Sequence, residues 1–161
     1  MLREDAIAPT FRLGIASSAD VPEIVRLITE VLVEFDLQFG NETDLELLRL
    51  PHSYTSQSGV FWIARDCTDA LLGTCGVVPL KADTYEVRKM YLGAKARGRG
   101  FGRAILGEAV RWVKERGGKH LVLDTTEQMT AAIHFYEANG FVRDDAQIRG
   151  KRCSRGYRRD L

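Results

Sequence analysis

The 161-residue chain has only three cysteines and four prolines, and aromatic side chains make up 9% of it. Cys67, Cys75 and Cys153 are odd in number and far apart, form no Cys-x-x-Cys pair and have no histidine at metal-ligand spacing. That pattern argues against a disulfide framework and against a bound metal; each cysteine reads as a small buried hydrophobe. No apolar run approaches the length that crosses a bilayer, and Met1 to Phe11, with Arg3, Glu4 and Asp5, has no signal-peptide core. The expectation is a soluble, cytoplasmic protein with no membrane partner. Net charge is also nearly absent: 23 Lys and Arg against 22 Asp and Glu leave +1, so the total marks no nucleic-acid binder. Repeats and low-complexity stretches are missing, and Gly and Pro punctuate periodic segments, so residues 1–161 read as a single domain.

The charge is unevenly placed. Asp20 to Glu46 holds eight acids against Arg26 alone, and Arg88 to Lys119 holds ten bases against Glu108 and Glu115. Phe11 to Ile15 alternates like a strand, and Ser17 to Asp20 followed by Val21-Pro22-Glu23 is a helix start. Ile24, Leu27, Ile28, Val31, Leu32 and Phe35 continue that helix at its period, and a second short helix is expected over Asp44 to Leu50, ending at Pro51. Gly59 to Arg65 and Leu71 to Leu80 read as a hairpin, and the alternation from Tyr85 to Leu92 adds a third strand. Gly98, Gly100 and Gly102 open a helix that runs to Gly117-Gly118. His120 to Thr125 is a strand, Thr130 to Asn139 a helix, and Phe141 to Arg143 and Cys153 to Leu161 are the last strands. The fold class is therefore mixed α/β, a mostly antiparallel sheet covered by helices.

Three alternating glycines at a helix mouth let the backbone approach a ligand, and the free N–H groups and dipole there attract an anion such as a pyrophosphate. A bare connecting turn is the competing reading, weakened by Arg97, Arg99 and Arg103 beside the same helix end. A dinucleotide-binding Gly-x-Gly-x-x-Gly fails, because Arg103 and Ile105 stand where its last glycine belongs, and no P-loop is present.

The arrangement Arg97-x-x-Gly100-x-Gly102, following the strand Met90-Tyr91-Leu92, resembles the pyrophosphate loop of the GCN5-related N-acetyltransferase (GNAT) superfamily. Ala132-Ile133-His134-Phe135-Tyr136-Glu137-Ala138-Asn139-Gly140-Phe141 resembles that superfamily's A-I-x-x-Y-E-x-x-G-F segment. The element order matches over roughly Arg12 to Arg143. What the resemblance implies is a sheet with a splayed strand pair and acetyl-CoA as cosubstrate, with no metal. The donor would be held by Met90, Tyr91, Leu92, Arg97, Gly98, Arg99, Gly100, Phe101, Gly102 and Arg103. Direct transfer to an amine needs a backbone donor for the oxyanion, an acid for the thiolate and a route for the ammonium proton. The resemblance assigns the acid to Tyr136 and the base to Glu86; the bland alternatives are a core aromatic beside Phe135 and a salt-bridged strand residue. His134 lies on another side of its helix, and His52 and His120 have no evident partner. Met129 stands where the superfamily commonly has Asn, so a hydrogen bond near pantetheine is lost or is supplied by Thr126 or Thr130.

By the same resemblance the acceptor site falls at about Val33 to Tyr54 and Ala146 to Tyr157. Glu34, Asp36, Glu42, Asp44 and Glu46 there would form an acidic rim that draws a cationic amine; a solvated helix face is the alternative. Arg149, Lys151, Arg152, Arg155, Arg158 and Arg159 suit a carboxylate on the acceptor, the 3′-phosphate of CoA or a charge-protected edge strand. The expected function is acetyl transfer from acetyl-CoA to a primary amine of a small molecule or amino-acid derivative. The alternatives are a protein or peptide N-acetyltransferase and a non-catalytic acyl-CoA-binding regulatory domain. No nucleic-acid partner is expected, and pairing into a homodimer is an expectation the superfamily carries.

Overall fold

A computed structural model describes residues 10–161. Seven strands form one sheet in the order β1-β2-β3-β4-β5-β7-β6: β1 (Arg12–Ile15), β2 (Val60–Arg65), β3 (Leu71–Lys81), β4 (Thr84–Leu92), β5 (His120–Thr125), β6 (Val142–Arg143) and β7 (Arg155–Asp160). The helices are α1 (Val21–Glu34), α2 (Glu42–Leu45), α3 (His52–Thr55), α4 (Phe101–Glu115) and α5 (Thr130–Ala138). Helix α1 begins as its sequence requires, with Pro22 in the first turn. Asp20 accepts from the Ser17 N–H at 2.8 Å and from Arg65 at 2.9 Å, which ties the helix start to the end of β2.

Alternation along the central strands places the helices on both faces. Val60, Trp62 and Ala64 of β2 join a core with Ile105, Leu106, Ala109 and Val113 of α4 and Tyr136 of α5. Phe61 and Ile63 face a second core with Ile24, Leu27, Ile28 and Val31 of α1 and Tyr54 of α3. This is the period-two logic of a sheet covered twice. The helix expected over Asp44 to Leu50 is instead the short α2, a 3-10 turn over Glu46–Arg49, and α3 beyond Pro51. Pro51 separates the last of these pieces, and each is only about one turn long, too short to hold a regular helix by itself.

All neighbouring strands pair antiparallel except β4 and β5, which run parallel only over Thr84↔His120, Tyr85↔Leu121 and Glu86↔Val122. Beyond Glu86 the two separate: β5 continues on β7 to Thr125↔Arg155, and β4 stays on β3 to Leu92↔Gly73. The expected splayed pair is therefore present. It coincides with a bulge in β4, where the register passes from Gly76↔Arg88 to Thr74↔Tyr91 and Lys89 takes φ 52. The Thr74 hydroxyl fixes the bulge by donating to the Lys89 carbonyl at 2.7 Å.

Candidate active site

The Arg97–Arg103 loop leaves β4 and turns into α4 through two left-handed glycines, Gly98 at φ 72 and Gly100 at φ 85. A side chain at either would be strained. The first bond across the helix start is Ala104 N–H to Gly100 O at 3.2 Å, so the N–H groups of Phe101, Gly102 and Arg103 have no intrahelical acceptor. Gly102 is needed for a different reason: a Cβ there would stand 3.1 Å from Leu92 and from the Phe135 ring. The result is an anion cradle made of backbone.

The arginines beside it do unlike things. Arg97 donates to both oxygens of Glu34, at 2.6 and 2.8 Å, and to the Leu92 carbonyl at 3.2 Å, and lies 5.3 Å from the Phe35 ring centre. It ties the loop to α1 instead of presenting a free charge. Arg99 stacks over the Phe101 ring at 4.9 Å, and Phe101 itself is in the core, edge-on to Phe11 at 5.6 Å. The Phe101 side chain is thus unavailable to a ligand, and only its main chain lies at the helix start. Arg103 is exposed on the cavity wall.

A cavity of about 390 Å³ opens from this loop between β4 and α5, walled by Met90, Leu92, Gly98, Gly100, Arg103 and Phe135. A second, of about 180 Å³, is walled by Glu86, Lys89, Thr43, Arg149, Arg152 and Cys153. Met90, Tyr91, Met129, Ala132 and Tyr136 line both, so the two meet where β4 has left β5. The backbone cradle, the apolar trench and the free β4 edge fit a long thioester with a phosphate-bearing end.

Tyr136 stands at that junction. Burial raises its phenol well above the ordinary value, with smaller contributions from Cys75 and Tyr91. At neutral pH it is a neutral O–H donor. Its ring is fixed by Phe135, Phe141 and Tyr157, with centres 5.6, 5.5 and 6.4 Å away. Burial likewise pushes the Tyr91 phenol up to about 12. Glu86 is buried in the second cavity; Oε1 accepts from Arg88 Nε at 2.7 Å, and Oε2 has no hydrogen-bond partner among the described residues.

Met129 is buried and contributes an apolar wall to both cavities. Thr126, a candidate to replace the missing Asn, is already bonded to Gln128 at 3.2 Å. His134 and His52 are exposed, and His120 does have a partner, Asp160 at 2.6 Å. Cys67 is exposed, contrary to the buried reading, whereas burial pushes the Cys75 and Cys153 thiols up to about 12. Among the described residues no cluster of three or more His, Cys, Asp or Glu could hold a metal, and no helix is long and apolar enough to cross a membrane.

Of the expected acidic rim, Asp36 and Glu42 are exposed, whereas Glu34, Asp44 and Glu46 are engaged by cations. Asp44 is fully buried: it pairs with Lys89, accepts from Arg152 at 3.2 and 3.3 Å, and takes the Gly40 and Asn41 N–H groups at 2.9 and 3.2 Å. Burial would raise its carboxyl, but these hydrogen bonds and charges hold it below the usual range. Glu34 is committed to Arg97, Glu46 lies 3.5 Å from Arg88, and Asp20 and Glu23 hold Arg65. Lys89 and the Arg152–Asp44 link were not identifiable from sequence as site features. A basic residue at the last unpaired stretch of a strand was the only signal.

The comparisons agree with this geometry. A sequence model of the acetyltransferase (GNAT) family matches residues 26–141. An uncharacterized N-acetyltransferase of Schizosaccharomyces pombe is 30% identical over 125 residues, 76% of each chain. A GNAT-family acetyltransferase of Staphylococcus aureus superposes with a TM-score of 0.88 at 21% identity, over 94% of this chain and 99% of that one. A phosphinothricin acetyltransferase of Sinorhizobium meliloti, solved with acetyl-CoA, superposes at 0.73 with 20% identity, over 94% and 89%. With the family model spanning most of the fold, including the glycine loop and Tyr136, the chain belongs to the acetyltransferase (GNAT) family of acyl-CoA-dependent N-acyltransferases.

Proposed function

We propose that the protein transfers the acetyl group of acetyl-CoA directly to a primary amine of a small molecule, with Glu86 as the base and Tyr136 as the acid. The observation that carries the reading is the junction of the two cavities: Tyr136 lines both, one rising from the glycine cradle and the other holding Glu86. The relative of known structure that was solved with acetyl-CoA has the same fold, which supports acetyl-CoA as the donor.

Acetyl-CoA supplies an activated thioester carbonyl. The N–H groups at the start of α4 hold the pyrophosphate, and Met90, Tyr91 and Leu92 present the unpaired β4 edge to pantetheine. Glu86 accepts the proton that the incoming ammonium must lose, directly or through one water. Tyr136, kept protonated by its burial, donates to the departing sulfur. The apolar walls contributed by Met129, Ala132 and Phe135 limit water at the carbonyl.

CoA thiol release from acetyl-CoA over a panel of amines, amino acids, polyamines and short peptides tests the reading, with Tyr136→Phe alongside. Amine-dependent release is expected, lowered in the variant by roughly 10²- to 10⁴-fold with acetyl-CoA affinity nearly unchanged. Wild-type turnover by the Phe variant would remove Tyr136 from its role.

A further inference from the structure

The wall of the smaller cavity carries Arg88, Lys89, Arg149 and Arg152 against Glu86 and Asp124. Most of these charges are matched within the protein. Lys89 and Arg152 close on Asp44 behind the wall. Arg88 sits between Glu86 and Glu46. One Asp124 oxygen takes the backbone N–H groups of Arg149 and Gly150, each at 2.7 Å. Arg149 differs from the others. Its nearest carboxylate oxygen is Glu86 Oε2 at 3.7 Å, too far for a hydrogen bond, and its donors otherwise reach Gln147 at 3.0 and 3.3 Å. Its side chain is 42% exposed.

Glu86 Oε2 is the same atom that is buried without a donor. The cavity thus presents, 3.7 Å apart, an anionic oxygen with no hydrogen bond and a guanidinium with no hydrogen-bonded carboxylate. A buried carboxylate oxygen is unfavourable unpaired, and a guanidinium fork matches a carboxylate. A ligand that carries an ammonium and a carboxylate on the same or adjacent carbons would satisfy both with opposite charges. The volume of about 180 Å³ suits a molecule the size of one amino acid and is small for a peptide segment. A polyamine or a lysine-rich peptide would instead place surplus positive charge beside Arg149 and Arg152.

We propose that the acceptor is a zwitterionic amine of the α-amino-acid type, its ammonium directed to Glu86 Oε2 and its carboxylate to the Arg149 guanidinium. This rests on the reading of Glu86 as the acceptor-side carboxylate. The transfer balances without a further reactant: the ammonium gives one proton to Glu86, its nitrogen forms the amide bond as the C–S bond breaks, the sulfur takes the Tyr136 proton, the nitrogen's second proton restores the Tyr136 phenol, and Glu86 releases its proton to solvent.

The test uses matched sets of amino acid, its primary amide and the amine lacking the carboxylate, such as methionine, methioninamide and 3-(methylthio)propylamine, with equivalent sets built on leucine, phenylalanine, serine and glutamine. Each set is measured by thiol release from acetyl-CoA and by calorimetric binding to the CoA-loaded protein. In at least one set the acid is expected to exceed the amide by roughly 10- to 100-fold in kcat/KM and in affinity. Arg149→Gln should reduce that ratio to within about threefold, whereas Arg111→Gln, on the exposed face of α4, should keep it. Amides or simple amines that react as well as the acids, with rates suppressed by Tyr136→Phe, would overturn the zwitterion and leave the transferase standing. Carboxylate-dependent binding that vanishes in Arg149→Gln without thiol release from any acceptor would support the zwitterion site and remove the transferase. A ratio that survives Arg149→Gln, or no carboxylate-dependent binding in any set, would overturn the inference.

Discussion

Asp44→Asn removes the buried charge that holds Lys89 and Arg152 at the wall of the smaller cavity. Asp44 is 0% exposed, and the Lys89 side chain it holds is 6% exposed. Arg152 reaches the same carboxylate from the loop before β7. Taking away one partner of a buried ion pair leaves an uncompensated charge and costs about 3–5 kcal/mol. For a chain of this length that corresponds to a melting temperature lower by roughly 6–20 °C. The expected signature is a double-mutant cycle in urea: Asp44→Asn is strongly destabilising, and adding Lys89→Met recovers at least about 1 kcal/mol because the stranded ammonium is gone. The carboxyl is held below its ordinary value in the fold, so its contribution is complete above the unfolded-chain value of about 3.9 and is lost as pH falls from there through the folded value. Acid unfolding of the wild type should therefore be steeper than that of Asp44→Asn. A single variant within about 1 kcal/mol of wild type, or no recovery on adding Lys89→Met, would refute the argument that the Lys89–Asp44–Arg152 cluster is closed to water.

Two further substitutions separate donor from acceptor. Gly100→Ala places a side chain at φ 85, a strain of about 1–2 kcal/mol; a rise of roughly tenfold in the acetyl-CoA Kd by calorimetry is expected, and unchanged affinity would mean the cradle does not hold the donor. Glu86→Gln keeps the size but cannot take a proton, so turnover at neutral pH should fall by about 10²-fold or more and recover as pH rises and the amine loses its proton to solvent. Because the change also removes the carboxylate charge beside Arg88, leaving Glu46 at 3.5 Å as its remaining anionic partner, a thermal melt on the same sample distinguishes lost chemistry from lost fold.

The glycine loop on which the proposed donor site rests was legible in the sequence because it is local. Two positive-φ glycines, a helix start and the strand before it lie within Met90 to Arg103, and their spacing determines where the free N–H groups go. Tyr136 was legible for the same reason, as one position in a ten-residue segment. The burial and pairing of Asp44 were not legible because its charge is matched over long separations. Asp44 and Lys89 are 45 residues apart, and Asp44 and Arg152 are 108 apart. A run of acids between Asp20 and Glu46 looks like an open negative surface until the fold brings Arg65, Arg88, Lys89, Arg97 and Arg152 onto it. The short helices from Glu42 to Thr55 were blurred for a related reason. Segments of a turn or two take their shape from caps such as Asn41, whose side chain accepts from the Asp44 N–H at 2.8 Å, and from the core they cover, more than from periodicity.

Every group assigned a role in transfer depends on a single break in the sheet. Had β5 followed β4 past Glu86↔Val122, the edge from Val87 to Leu92 would be satisfied by strand bonds, and Met129, Ala132 and Tyr136 would have no gap to enter. The break is maintained from both sides. On one, β5 forms a full ladder with β7 through Thr125↔Arg155, which fixes its course away from β4. On the other, the bulge at Lys89 turns that side chain out of the alternating pattern and onto Asp44, and the Thr74 hydroxyl secures the carbonyl so released. The buried ion pair thus anchors the bulged part of β4 to α2, on the strand whose Glu86 shares the walls of one opening with Tyr136.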